Sequence, residues 1–448
     1  MISAAILLWA TTRSTPPMRT SSLLLPKTTH VFSSPATRVG AGCAARVKNP
    51  PPVRQPQVLR HSENNTCQAC ACRRLYTVEM THFDAAVIGS GSFGSWIAHT
   101  LAERGWKVAL ADAHGAGNSR ASSGGETRII RMSYGATSIY TRMARESLDR
   151  WKRLFAETGQ DELFVESGAL FTAPTGHGYL DDCAAALARL NVRHQRLKPA
   201  ELKKRFPQFQ FAAGVSGLYE PDSGVLLARR AVAAVASSAV RLGVTELNLR
   251  VNPKTFRKQI PAKRYIFACG PWLPSMFPQE LGPLIFPTRQ EVVFFGIPGG
   301  DTRFRPGPMP AWVDFSAGVY TVPDIENRGF KLGVDAHGPA IDPELDPRVV
   351  TPSGLKRARA LVAASLPALA TAPVVESRVC CYENTWNGDF LIDQLKEDVW
   401  VAGGGSGHGF KHGPAVGRYV AELLEGKVDP EPRFLLVAKK TKQLRGVY

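Results

Sequence analysis

The sequence predicts an α/β (α+β) protein whose parallel nucleotide-binding unit is interleaved with a second domain on a mostly antiparallel sheet. Three observations carry this. From Asp84 onward, short apolar runs and helical periodicity interchange, the rhythm of an α/β chain. A glycine-rich turn separates the first strand from the first helix. Alternating segments between Val292 and Val334 are broken by Pro and Gly, as in antiparallel sheets.

Ala85–Ile88 reads as a short buried strand, Ser92–Arg104 as an amphipathic helix stopped by Gly105, and Val108–Leu110 as the next strand. Arg142–Phe155 reads as a helix with Leu148, Trp151 and Leu154 on one face, and Ala228–Leu242 as a further helix. Val292–Phe295, Val319–Val322 and Phe330–Val334 form the sheet of the second domain. Val399–Ala402 returns to a buried parallel-type strand, followed by glycines and a helix from about Pro414 to Leu424. The C-terminal end therefore completes the N-terminal fold. The expected division is 81–165, 225–290 and 375–430 for the nucleotide-binding domain and 166–224 and 291–374 for the substrate domain, with a leader at 1–80 and a C-terminal tail at 431–448.

At 448 residues and 44% hydrophobic, the chain can bury a large core, which argues against disorder. The net charge of +17 is divided unevenly, because residues 1–80 hold ten Lys or Arg and two Glu, leaving +9 on the body. Those body charges are dispersed and lie beside no aromatic stripe, so no nucleic-acid partner is expected. No apolar run reaches the roughly 18 residues of a membrane-spanning helix, and no membrane association is expected. The leader is rich in Ser, Thr, Pro and Arg and has no acidic residue before Glu63, the composition of an organelle transit peptide. That predicts a mitochondrial or plastid location if the leader is translated, and a cytoplasmic or peroxisomal one if translation starts at Met80. Of eight cysteines, Cys43, Cys67, Cys70 and Cys72 lie in this leader, in no common zinc spacing. No metal site is expected.

The turn Gly89-Ser90-Gly91-Ser92-Phe93-Gly94 follows a strand and opens a helix. Gly89 permits the tight turn, Gly91 lets the backbone approach a pyrophosphate, and Gly94 lets the helix pack on the strand. Phosphates would lie at the helix N-terminus, where free N–H groups favour negative charge. Asp112, followed by Ala113, ends the second strand, where a carboxylate accepts from ribose hydroxyls and repels a 2′-phosphate. The fingerprint alone does not separate FAD from NAD.

Further segments resemble the monomeric sarcosine oxidase family of amine-oxidising flavoenzymes, which includes N-methyltryptophan oxidase and pipecolate oxidase. They are Gly125-Glu-Thr-Arg128-Ile-Ile-Arg131-Met-Ser-Tyr134-Gly, Gly329-Phe-Lys331-Leu-Gly333, Val379-Cys380-Cys381-Tyr382, and Gly404-Gly-Ser-Gly407-His408-Gly-Phe410-Lys411. Between them lie Tyr219-Glu-Pro-Asp-Ser-Gly224 and Ala268-Cys-Gly270-Pro-Trp272, so the resemblance spans Asp84 to about Leu424.

The resemblance implies a Rossmann-like FAD-binding domain, with substrate enclosed between the flavin ring and the second domain's sheet. It implies a thioether from Cys380 to the flavin, and Ser123, Thr127, Arg128, Gly270, Trp272, Tyr382, Gly405, Gly407, His408, Gly409, Phe410 and Lys411 around the cofactor. Arg131 and Lys411 would clamp a substrate carboxylate, as a guanidinium fork with an added point charge can. Lys331 would activate O2, Tyr320 would stand among the catalytic residues, and His408 would shape the flavin edge or act as a base. The activity implied is oxidation of a small secondary or cyclic amino acid with release of hydrogen peroxide, by a monomer. An FAD-linked dehydrogenase, or a flavin-binding protein without turnover, is the competing expectation. Two features depart from the family. Asp335 stands where relatives place a histidine, with His337 two further on, and the basic stretch between Gly243 and Ala268 is short, which questions the strands beside the adenine.

Overall fold

The computed structural model describes residues 82–440. The leader, with its cysteines, and the last eight residues lie outside them. In chain order the strands are β1 (Phe83–Ile88), β2 (Val108–Asp112), β3 (Arg128–Ile130), β4 (Phe164–Val165), β5 (Ala169–Pro174), β6 (Gln195–Leu197), β7 (Val215–Glu220), β8 (Gly224–Leu226) and β9 (Thr245–Asn248). They continue with β10 (Ala262–Phe267), β11 (Ile285–Phe295), β12 (Ala311–Asp314), β13 (Val319–Val322), β14 (Phe330–Val334), β15 (Val374–Thr385), β16 (Leu391–Lys396) and β17 (Val399–Gly403).

Six strands form the first sheet, in the order β16-β17-β10-β1-β2-β9, parallel except for the edge strand β16. Ala85, Ala86 and Val87 of β1 are fully buried, as in a strand covered on both faces. β1 lies between β2 and β10: the chain runs outward from β1 to β2 and β9, then crosses back to β10 on the other side of β1. Ligands bind such sheets at the carboxyl ends of the strands beside this reversal.

Helix Ser92–Glu103 follows β1 and packs against helix Gly413–Leu424. A Cβ on Gly417 would lie 2.6 Å from the Trp96 carbonyl oxygen, so the glycine permits the two backbones to touch. This contact closes the N-terminal fold with the C-terminal end, as expected. The predicted helix 142–155 lies within a longer one, Ser138–Thr158, whose last turn is closed by Gly159 at φ +64°. The expected tail is anchored within its first ten residues: Phe434 is buried against Tyr140, Phe390 and Tyr419.

The second sheet has eight strands, in the order β15-β11-β14-β13-β12-β5-β7-β6, antiparallel except where β12 meets β5. The boundaries expected at 290 and 375 fall inside β11 and at the start of β15, which pair along nearly their whole length. β11 enters through Pro287, a residue that reads as a strand breaker because it donates no ladder bond. Side chains alternate between faces. One face, with Leu170, Val293, Trp312, Leu332 and Cys381, packs on helix Pro352–Ser365 and the Leu202–Phe209 segment. The other face looks toward the first sheet. A small sheet, β3-β8-β4, stands beside them.

Candidate active site

β1 ends in Gly89 at φ +103°, where a Cβ would come 2.4 Å from the Ala268 carbonyl oxygen. A Cβ on Gly94 would come 1.8 Å from the Gly89 carbonyl oxygen, so turn and helix meet backbone to backbone. At Gly91 the nearest atom to a Cβ is Ser123 Oγ at 3.4 Å, so this glycine faces open space. No side chain caps the helix that starts at Ser92, which leaves its first N–H groups for an anion. Asp112 is held at the end of β2 by the backbone N–H groups of Ser90 and His114, which donate to its two carboxylate oxygens at 2.8 Å each.

These groups open on a cavity of about 870 Å³. Small-molecule and cofactor sites run to roughly 300–1,000 Å³, so a dinucleotide fits. Asp112, Ala113 and Asn252 line one end, Gly91 and Phe93 the middle, and Arg128, Cys380 and Tyr382 the other end. Gly270, Trp272, Gly405, Gly407, Gly409 and Phe410 also line it. Ser123 Oγ and Glu383 Oε2 are buried in its wall without a hydrogen-bond partner, as suits groups awaiting a polar ligand. The short stretch after Gly243 supplies β9 beside β2, and Leu249–Pro253 wall the cavity next to Asp112.

The inward face of the eight-stranded sheet carries the reactive groups. Lys331, Gly333 and Asp335 alternate along β14 and its extension, and Cys380 and Tyr382 along β15. Parity separates the adjacent cysteines: Cys381 is fully buried in the rear apolar cluster, while Cys380 Sγ lies 3.3 Å from Arg128 Nη2. Lys331, 3% exposed, donates from Nζ to the Thr127 carbonyl oxygen at 2.9 Å and to Thr127 Oγ1 at 3.2 Å. Burial, then Arg128, hold the Lys331 ammonium well below the usual lysine range. The Tyr320 ring lies over Gly333, where a Cβ would come within 2.4 Å of it. Burial pushes the Tyr320 phenol up to about 12, and the Tyr382 phenol well above its ordinary value.

Arg131 and Lys411 lie outside the cavity lining and converge on Tyr134. The Arg131 guanidinium stands 4.5 Å from the Tyr134 ring centroid, and Lys411 Nζ donates to its hydroxyl at 2.8 Å. Both side chains are nearly covered, at 6% and 5% exposed, and burial, then Arg131, hold the Lys411 ammonium well below the usual lysine range. Glu220, at the end of β7, accepts from the Met132 N–H at 2.9 Å and from the hydroxyls of Ser133 and Ser223. It thereby fixes the segment after Arg131, whose guanidinium bonds the Ser133 carbonyl oxygen.

Asp335 faces this pair. Burial pushes its carboxyl up to about 7, against Arg131, Lys411 and a hydrogen bond to Tyr382, which all favour the anion. Tyr320 also neighbours Tyr382, so Asp335, Tyr382 and Tyr320 form a polar cluster along the sheet. His408 points elsewhere. Its ring stacks on Phe390, Nε2 bonds the Gly388 carbonyl oxygen at 3.0 Å, and Nδ1 lies 3.5 Å from the Tyr134 hydroxyl. This arrangement orders the turn around the cavity and gives no support to His408 as a base. Tyr134, Glu220 and Glu383 were not singled out from sequence as site residues. Their partners lie far off in the chain, and only the quoted Tyr134 and Tyr219–Gly224 segments hinted at the first two.

The model of the DAO family, described as FAD dependent oxidoreductase, matches residues 84–423. The monomeric sarcosine oxidase of Bacillus sp. (strain B-0618) is 30% identical over 372 residues, covering 78% of this chain and 94% of that protein. The peroxisomal sarcosine oxidase of Homo sapiens is 32% identical over 361 residues, covering 76% and 92%. Among solved structures, the L-proline dehydrogenase from P. horikoshii superposes with a TM-score of 0.69 at 22% identity, covering 81% of this chain and 99% of that one. Amadoriase II from Aspergillus fumigatus gives 0.65 at 20% identity, covering 79% and 89%. These two share the fold.

Proposed function

Since the chain belongs to the DAO family of FAD-dependent oxidoreductases, we propose that it oxidises the C–N bond of a small secondary or cyclic amino acid. The products are an imine, hydrolysed to carbonyl and amine where it is acyclic, and hydrogen peroxide from O2. The observation that carries the reading is the pairing of two covered basic side chains, Arg131 and Lys411, beside the end of the cavity where Cys380 and Tyr382 stand; a bound carboxylate would favour the charged form of both. A carboxylate is the substrate group that such a pair binds. The related proteins named sarcosine oxidase and N-methyl-L-tryptophan oxidase suggest an N-methyl or cyclic amine beside it.

Bound FAD supplies two-electron acceptance from the carbon next to the amine and passes the electrons to O2. Arg131 grips the substrate carboxylate and Lys411 adds charge to the same group, which fixes the amine over the inward sheet face. Asp335, ionised above pH 7, accepts a proton from the substrate ammonium, so that the nitrogen reacts as a neutral amine. Tyr382 steadies that carboxylate. Lys331 stands beside Arg128, where negative charge developing on oxygen would favour its protonated form. Cys380, the cysteine on the inward face, is the one placed for a thioether to the flavin.

Aerobic turnover of sarcosine, L-pipecolate and L-proline, followed with an oxygen electrode and a peroxide assay, tests the oxidase reading. One peroxide per O2 consumed is expected. Amine-dependent reduction of an artificial acceptor without O2 uptake would make the enzyme a dehydrogenase instead.

A further inference from the structure

We propose that Glu383 is a cofactor-holding residue whose Oε2 hydrogen-bonds a hydroxyl of the polyol chain joining the flavin ring to the first phosphate. The inference rests on the assignment of FAD to the cavity. Glu383 follows Tyr382 near the end of β15, and its carboxyl lines the cavity beside the Gly405 turn. There it is pinned: the Ser406 N–H donates to its carbonyl oxygen at 3.0 Å, and the Gly405 N–H donates to Oε1 at 3.2 Å. Oε2 is buried and has no partner.

Two glycines lie beside Oε2: a Cβ on Gly270 or Gly403 would lie 3.5 Å or 3.4 Å from it, at ordinary contact distance. Gly270 lies three residues beyond the end of β10, and Gly403 is the last residue of β17. Along the cavity, Asp112 marks the ribose end, Gly91 and the uncapped helix the phosphates, and Cys380 the ring end. Glu383 stands between the last two, where the polyol passes.

The chemistry of the group agrees. A phosphate beside a carboxylate would be repelled, whereas burial holds the Glu383 carboxyl up at about 7, so about half of the molecules carry the proton at pH 7 and most do below it. With Oε1 accepting from Gly405, the proton falls to Oε2, which then both donates and accepts, as an alcohol partner requires. A buried polar atom without a partner is costly, and a hydroxyl removes that cost.

The test uses the full chain in a Cys380→Ser background, so that a thioether cannot mask affinity, and titrates the flavin-free protein with FAD, ADP and lumiflavin. ADP lacks the polyol and ring, and lumiflavin lacks the polyol. Glu383→Leu should weaken FAD about 5- to 100-fold while leaving ADP and lumiflavin within about twofold. Glu383→Gln, which keeps a donor and an acceptor, should stay within about threefold of the parent for FAD. Unchanged FAD affinity in Glu383→Leu overturns the proposal. An equal loss for ADP also overturns it, placing the residue at the phosphates or in the fold. A parent that takes up ADP but no FAD overturns it together with the FAD assignment.

Discussion

Replacing Asp335 with Asn removes a charge that switches within the working pH range. Burial holds this carboxyl up at about 7, and the cations Arg131 and Lys411 face it with Tyr382. Below pH 7 it is neutral, and both cations are available to a ligand carboxylate. Above pH 7 it is an anion that competes for them. At pH 6 about a tenth of the molecules carry the charge, and at pH 8 about nine-tenths. If a bound carboxylate raises the Asp335 pKa by about one to two units, linkage makes affinity fall about 5- to 10-fold from pH 6 to pH 8. The assay is titration of the holoenzyme with furan-2-carboxylate, which has no titrating nitrogen, read from the flavin absorbance. Asp335→Asn should hold near the low-pH affinity and vary by less than about twofold over the same range. A zwitterionic amino acid should lose less than furan-2-carboxylate in the parent, because its ammonium pairs with the ionised Asp335. A flat profile in the parent, or an unchanged slope in Asp335→Asn, would refute this reasoning.

Lys331→Met should slow reoxidation of the reduced enzyme by O2 by about 100-fold or more, and change anaerobic reduction by less than about threefold, both read by stopped flow. Cys380→Ala should release its flavin on acid precipitation, whereas Cys381→Ala should keep it with the protein, because only Cys380 faces the cavity with its side chain. Gly94→Ala should fail to give a folded holoenzyme in a thermal melt, since its Cβ would lie 1.8 Å from a backbone oxygen. Gly91→Ala meets only Ser123 Oγ at 3.4 Å and should fold, yet bind FAD about tenfold or more weakly in a fluorescence titration, because its methyl fills phosphate space.

The dinucleotide turn was legible because its requirements are local. A strand, three glycines, a helix start and Asp112 lie within a short stretch, and each glycine has a steric cause in the backbone around it. The sheet of the second domain was legible in part. Phe330–Val334 and Val319–Val322 alternate cleanly, whereas β11 begins through Pro287 and so showed only its last residues. That hid its pairing with β15, and with it the parity that separates Cys380 from Cys381. The resemblance drew attention to Arg131, Lys331 and Lys411, but Tyr134, the residue that gathers two of them, gains its role through a contact 277 positions away. Glu220 acts on Met132 from 88 positions away, and Glu383 meets Gly405 across 22. No local pattern encodes such contacts, because they are created by two sheets folding against each other. Asp335 was visible as a departure. Its consequence, a carboxyl switching near neutral pH, needed the burial and the two cations around it.

The central claim is that the enzyme draws electrons from an amine held by its carboxylate at Arg131 and Lys411. Anaerobic mixing of the holoenzyme with sarcosine, L-pipecolate and L-proline, and with the carboxamide of each, tests it most directly. The account predicts that at least one of the acids bleaches the flavin absorbance, that its amide does so at least about 100-fold more slowly, and that Arg131→Met abolishes the difference. Equal bleaching by acid and amide, or none by any carboxylate-bearing amine, would contradict it.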